Sequence, residues 1–240
     1  LYVYDVLLRV RRALGQRTRA QVLATTRDGT DFRLVEREKL PFSRGHAVLT
    51  TPPYPIADAT IGVHFRWYLA NSLFRRHAKN GDSDRVVFVS IHADSLHPTL
   101  RGATVYVADA GASVTRFGKS GPVFTSRKEY REQPAVTFSL RERQKSEGRS
   151  HDLAQKIIDG FRGHDLAVHP FQPVRNRIFR GRRPWVPAVL RYNAVPAKVL
   201  LEICNLANDE DRRLLQQSAF RETIAAAIVD GILRYFGEAG

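Results

Sequence analysis

Two side chains in this sequence stand where an apolar run meets polar chain, and both carry the chemistry of a hydrolytic site. The first is His92, in Val87-Phe88-Val89-Ser90-Ile91-His92-Ala93-Asp94. An unbroken apolar run of this length reads as a strand covered on both faces, and it delivers the imidazole at its C-terminal end, where ligand sites of open α/β sheets gather. A neutral imidazole fixed by a strand is a good zinc donor. Taken alone, a histidine there is more often structural. The second is Glu202, in Lys198-Val199-Leu200-Leu201-Glu202-Ile203-Cys204-Asn205, where a carboxylate closes another apolar run. Buried and unpaired it would be costly, so it calls for a cation, a helix cap or a general acid/base role.

Smaller signals surround these two. Arg66 and Asn71 lie five apart in Arg66-Trp67-Tyr68-Leu69-Ala70-Asn71; read alone, they are a solvated arginine and a packed helix face. Asp94 and His97 follow His92 closely enough to meet a substrate. Ser150-His151-Asp152 has the residue types of a catalytic triad, but adjacent side chains at a helix start cannot form one, whose members meet from distant segments.

The elements that would position these groups follow from periodicity. Residues 3–14 place Val3, Leu7, Val10 and Leu14 at helical spacing, with Arg9, Arg11 and Arg12 on other faces. A short strand is expected over 20–26, and an irregular stretch over 30–59, broken by Pro41, Pro52, Pro53 and Pro55. A helix follows over 63–78, then strands over 86–91 and 103–107, a helix over 151–161, a strand over 197–201 and a largely helical 209–235. The last carries the stripe Phe220, Ile224, Ile228 and Ile232. Residues 111–148 and 164–187 are basic and poor in periodicity, and read as large surface insertions. Helices alternating with buried strands predict a single α/β domain, a mostly parallel twisted sheet flanked by helices with large loop insertions.

Composition sets bounds. The formal charge is +14, from 31 Arg and 7 Lys against 24 Asp and Glu, so the surface attracts polyanions: nucleic acid, anionic membrane or cell-wall polymer. No helix-turn-helix, RNP or OB-type signature accompanies the charge, which argues against a specific nucleic-acid partner. No apolar stretch is long enough for a membrane helix. The single cysteine, Cys204, has no disulfide or zinc-ribbon partner and reads as a small buried residue. The chain starts at Leu1 and has no methionine, so we expect a processed or trimmed product.

In this order the pieces resemble one family, the amidase type 3 group of N-acetylmuramoyl-L-alanine amidases. Its helix with Arg-x-x-x-Ala-Asn is matched by Arg66, Ala70 and Asn71, and its strand ending Ser-Ile-His-Ala-Asp/Asn by Ser90 to Asp94. Its glutamate-bearing strand is matched by Leu201-Glu202 with Leu206-Ala207-Asn208, and its final helix by Ile224-Ala225 with Ile228, Gly231 and Ile232. Gly102 to Val107 and Ser150 to Ile157 resemble two further family segments. The resemblance implies zinc-dependent hydrolysis of the amide between N-acetylmuramic acid and L-alanine in peptidoglycan, by a protein exported to the periplasm or cell exterior. A protein activator is a possible partner.

It further implies that His92 is one of three zinc ligands, that Glu202 is the catalytic carboxylate, and that Asn71, Asp94, His97 and Arg66 contact substrate. The family's other two ligands are a histidine in a Gly-His-Gly-Gly-like turn and a glutamate just before the first helix. Both are expected upstream of Leu1, so that 1–240 would be a catalytic domain without its first strand and metal-binding segment. Gly45-His46 lacks the following glycines and is given no such role. Cys204 and Asn205 stand where the family commonly has glycine and phenylalanine. The alternatives are an inactive amidase-like wall-binding or regulatory protein, and a basic nucleic-acid-binding α/β domain.

Overall fold

The computed structural model of the chain describes residues 1–29, 36, 38–78, 81–113, 115–180 and 183–237. The part of the expected irregular stretch at 30–35 and 37 lies outside them. The chain opens with helix α1 (Tyr2–Arg17), whose Val6, Val10 and Leu14 are buried. Arg9, expected away from the packed face, is buried too. Asp5 accepts from its Nε at 2.8 Å and from Arg221 Nε at 2.6 Å, and Glu222 accepts from Arg9 Nη1. Buried guanidinium is tolerated when acceptors meet it.

Three short strands follow, β1 (Thr26–Asp28), β2 (His46–Val48) and β3 (Tyr54–Pro55), paired antiparallel as a small separate sheet. The strand expected over 20–26 is thereby displaced. Ladder partners exist only for Thr26 onward, because β2 comes alongside there. Helix α2 (Ala59–Ala78) leads to β4 (Val87–Asp94) and then β5 (Thr104–Tyr106).

Residues 111–148 hold more regular structure than their composition suggests: β6 (Arg116–Gly118), α3 (Pro122–Thr125), α4 (Lys128–Glu132), β7 (Ala135–Thr137) and the first turns of α5 (Leu140–Gly163). Helix α5 starts well before the expected residue 151 because Ser139 and Glu142 form a reciprocal capping box. The segment 164–187 also contributes strands: β8 (Val174–Arg175), β9 (Ile178–Arg180) and β10 (Arg183–Trp185). The short helix α6 (Ala188–Arg191) precedes β11 (Ala197–Asn205). The expected helical tail is two helices, α7 (Asp209–Gln216) and α8 (Ser218–Tyr235), separated at Gln217.

The central sheet has the order β4-β11-β5-β8. The pairs β4–β11 and β5–β8 are parallel, and β11–β5 is antiparallel. A mostly parallel α/β domain is thus observed. Side-chain alternation gives the sheet two different faces. Val199, Leu201 and Ile203 of β11, with Val105 of β5, pack into a core shared with α1, α5 and α8. Leu200 and Tyr106 point the other way, toward Val186, Val189 and Leu190 around α6. Helices α5 and α8 cross closely at Gly160 and Gly231. A β-carbon at Gly160 would come within 2.3 Å of the Ala227 carbonyl, and one at Gly231 within 2.5 Å of Ile157 Cα. Buried in that crossing are Ile224, Ile228 and Ile232 of the expected stripe, while Phe220 is partly buried. No helix among the described residues is long and apolar enough to cross a membrane.

Candidate functional site

The ladder between β4 and β11 pairs His92 directly with Glu202. Residues opposed in a ladder project from the same face, on strands about 4.8 Å apart. On the other side of β11, Glu202 is opposed by Thr104 of β5. An imidazole, a carboxylate and a hydroxyl therefore form one row across three strands. One step toward the start of β11, on the same face, Ser90 is in register with Leu200, which is opposed by Tyr106 and then Arg175. Glu202 does not close its strand, as the apolar run suggested. β11 continues to Asn205, so the carboxylate is held from both sides.

Three atoms around this row are buried without a hydrogen-bond partner: Glu202 Oε2, Thr104 Oγ1 and Arg66 Nε. Most buried polar groups in a folded protein are paired, so three orphans in one neighbourhood mark a polar site awaiting partners. Burial pushes the Glu202 carboxyl up to about 8, and the nearby Asp94 carboxylate adds to the rise. Burial lowers His92 to about 4, helped by the positive charge of Arg66. The imidazole is thus kept neutral, with its Nε2 2.9 Å from Ser90 Oγ. A poised carboxyl beside a neutral imidazole can move a proton and offer a nitrogen donor.

The other expected residues are placed unequally. Arg66 reaches the site from α2, as its influence on His92 shows. Asp94 lies one step beyond His92 on the same face, close enough to Glu202, Tyr106 and His169 to affect all three. His97 is exposed on the loop after β4, its Nδ1 2.8 Å from Thr99 Oγ1. Asn71 is bound into the fold. It is buried, donates from Nδ2 to the Tyr192 carbonyl at 2.9 Å and accepts at Oδ1 from Ala194 N at 2.7 Å. That side chain holds the chain entering β11 against α2.

Four residues escape a reading of the sequence alone: Thr104, Tyr106, His169 and Arg175. Arg175 donates to the Tyr106 hydroxyl at 3.4 Å and lies 2.7 Å from His169 Nε2. Strand alternation through Ala103-Thr104-Val105-Tyr106 is the signal that points to the first two. His46, given no role, lies on β2 within the field of Arg66; burial lowers its pKa, with Asp28 opposing. Among the described residues, no group of three or more His, Cys, Asp and Glu side chains is placed to hold a metal ion. Cys204 is buried and free, its thiol pushed up to about 12 by burial and then by Asp211 and Glu202, an environment that disfavours the thiolate.

Comparison with known proteins gives a consistent picture. Residues 2–234 match the family model Amidase_3, described as N-acetylmuramoyl-L-alanine amidase. Over 160 residues the chain is 28% identical to N-acetylmuramoyl-L-alanine amidase AmiA of Escherichia coli, covering 62% of this chain and 52% of AmiA. The chain thus spans about half the length of the curated relatives it matches. Among solved structures it resembles the amidase Ami1 of Mycobacterium smegmatis, with a TM-score of 0.55, 22% identity, and 98% and 76% of the two chains covered. It also resembles the CwlD amidase of Clostridioides difficile, solved in complex with the GerS lipoprotein, with a TM-score of 0.53, 16% identity, and 98% and 85% covered. At these identities the two structures speak for the fold alone.

Proposed function

The chain belongs to the N-acetylmuramoyl-L-alanine amidase family, and from that premise we propose that it performs zinc-dependent hydrolysis of the amide joining N-acetylmuramic acid to L-alanine in peptidoglycan. The observation that carries the reading is the ladder pairing of His92 with Glu202, with one carboxylate oxygen left unpartnered. His92 fits the role of a zinc donor, because burial and Arg66 hold its ring in the neutral form that binds metal. When bound, zinc would polarise the scissile carbonyl and acidify a water molecule. The protein's own part falls to Glu202, which accepts the proton of the attacking water and returns it to the departing amine. Burial raises the affinity of the metal-free Glu202 carboxyl for protons, which suits a group that must take one up and release it again. Arg66 lies beside the reacting groups, where a guanidinium opposes negative charge developing on the carbonyl oxygen.

Substrate contacts are assigned to Asp94, at the open end of the row, and to the exposed His97. Arg175, hydrogen-bonded to Tyr106, adds a cation suited to a stem-peptide carboxylate. Such a substrate places the protein outside the cytoplasm. The CwlD structure was solved with GerS, and the proposal for this chain likewise includes a protein partner, acting as an activator.

The decisive experiment compares the protein with its Glu202→Gln variant, reading zinc content and muropeptide hydrolysis. The expected outcome is retained zinc, native circular dichroism and hydrolysis lowered by about 10³-fold. Near-native hydrolysis by the variant removes Glu202 from the chemistry. Absence of stoichiometric zinc and of hydrolysis in the full-length protein favours a wall-binding relative without activity.

A further inference from the structure

At the opposite end of β11 from Asn205 lies a cavity of about 360 Å³, bounded by the first half of α5, the turn after α6 and the start of β11. Its walls carry five cationic side chains, Arg143, Lys145, Arg149, Arg191 and Lys198, against two carboxylates, Asp84 and Glu142. Both carboxylates are already engaged. Asp84 takes both terminal nitrogens of Arg149, and Glu142 closes the cap of α5 at Ser139. The wall is therefore left with a surplus of positive charge.

Its donors are also under-used. Asn193 is 1% exposed and accepts at Oδ1 from Val195 N at 2.9 Å, yet its Nδ2 has no partner. The Arg191 guanidinium lies 4.8 Å over the Tyr192 ring, with its Nε buried and unpartnered and no ion pair among the described residues. Arg143 donates to the carbonyls of Ala110 and Ser113, leaving Nε unpartnered. Lys198 is 6% exposed, and its Nζ donates to Ser146 Oγ and to the Val195 carbonyl at 3.0 Å, neither of them charged. A buried donor without an acceptor is destabilising. Several around one cavity make sense when an acceptor-rich anion fills it.

The arrangement also indicates the shape of the anion. The cations come from α5, the last residue of α6 and β11, so they converge from different elements instead of forming one planar fork. That suits a tetrahedral oxyanion with three or four acceptors better than a carboxylate. Phe74, Phe138 and Leu190 supply apolar wall, and the volume is that of a small-molecule site, larger than a bare ion needs. We propose that this cavity binds a small organic phosphate monoester, of the size of a sugar phosphate, as a site separate from the His92–Glu202 row. Burial lowers the Lys198 amine to about 7, and a bound dianion would restore its full charge.

The test is calorimetric titration of the protein with glucose 6-phosphate, inorganic phosphate and glucose in turn. Glucose 6-phosphate is expected to bind saturably at one site, more tightly than inorganic phosphate, and glucose is expected to give no binding. Arg191→Met and Asn193→Asp, checked for native circular dichroism, should each weaken binding by about tenfold or more. Arg11→Gln, on the exposed face of α1, should leave it within about twofold. Lys198→Met serves in place of either variant that fails to fold. Three results overturn the proposal: no saturable binding of either phosphate, equal weakening by Arg11→Gln and Arg191→Met, or inorganic phosphate binding as tightly as the sugar phosphate.

Discussion

Glu202 and Asp211 are acids nine residues apart at the same end of the sheet, and the protein treats them in opposite ways. Asp211 is 1% exposed and fully engaged. Its Oδ2 accepts from Gly102 N at 2.7 Å and Asn205 N at 2.9 Å, and its Oδ1 from Arg101 Nε at 3.2 Å. It ties α7, the end of β11 and the entry to β5 together. Glu202, in β11 itself, has a buried oxygen with no partner and a carboxyl pushed up to about 8 by burial and Asp94. A carboxylate surrounded by donors is a strut. One deprived of donors keeps its affinity for protons and can act on a substrate.

The comparison can be broken most forcefully at Asp211. Asp211→Ala strands two backbone N–H groups and Arg101, and should destabilise the fold by about 3 kcal/mol, read as a shift of the urea midpoint at constant slope. A loss below about 1 kcal/mol would mean that Asp211 is no strut.

A smaller effect of opposite sign is expected at Glu202 in the metal-free chain. Its pKa is raised from 4.5 to about 8 on folding. Between those values the folded state holds the extra proton, so this group's stabilisation is complete below pH 4.5 and is lost as pH rises through 8. Glu202→Gln removes that slope. The two chains should be equally stable near pH 4.5, with the variant ahead by about 2 kcal/mol at pH 6. Equal stability at every pH would show that the carboxylate is better solvated than its surroundings indicate.

The smallest expected effect is at Thr104, whose Oγ1 has no partner. Thr104→Val keeps the shape and removes a buried unsatisfied hydroxyl, so stability should stay within about 0.5 kcal/mol or rise. If thermal melting instead shows a marked loss, the hydroxyl has a partner that the row of three requires.

Much of this contrast is legible in the sequence, and the remainder is hidden for physical reasons. The apolar runs around His92 and Glu202 announce two buried strands, and both form. The end of β11 is harder to see because Glu202 looks like a stop. Yet alternation continues through it, with Val199, Leu201 and Ile203 facing the core and Lys198, Leu200 and Glu202 facing away. The start of helix α5 is masked because Leu140 to Gly148 shows little apolar periodicity; the signal present is Ser139 with Glu142, a helix start written in polar residues. The motif around Asn71 points toward the substrate, but its partners are backbone atoms more than a hundred residues later, which no local pattern reveals. Arg175 reaches the site only because β8 pairs with β5, again a contact made by tertiary structure.

The register of β4 and β11 shifts between Glu202 and Asn205. Across that irregularity one strand advances by three residues while its neighbour advances by two, from His92 to Asp94. The extra residue acts as a phase correction: it lets the carboxylate proposed for proton transfer and, three positions on, an asparagine that anchors the neighbouring loops sit in step with alternate residues of β4. Deleting either Ile203 or Cys204 would leave the composition nearly unchanged, yet the chain could no longer keep both in place, and either the chemistry or the loops would be lost.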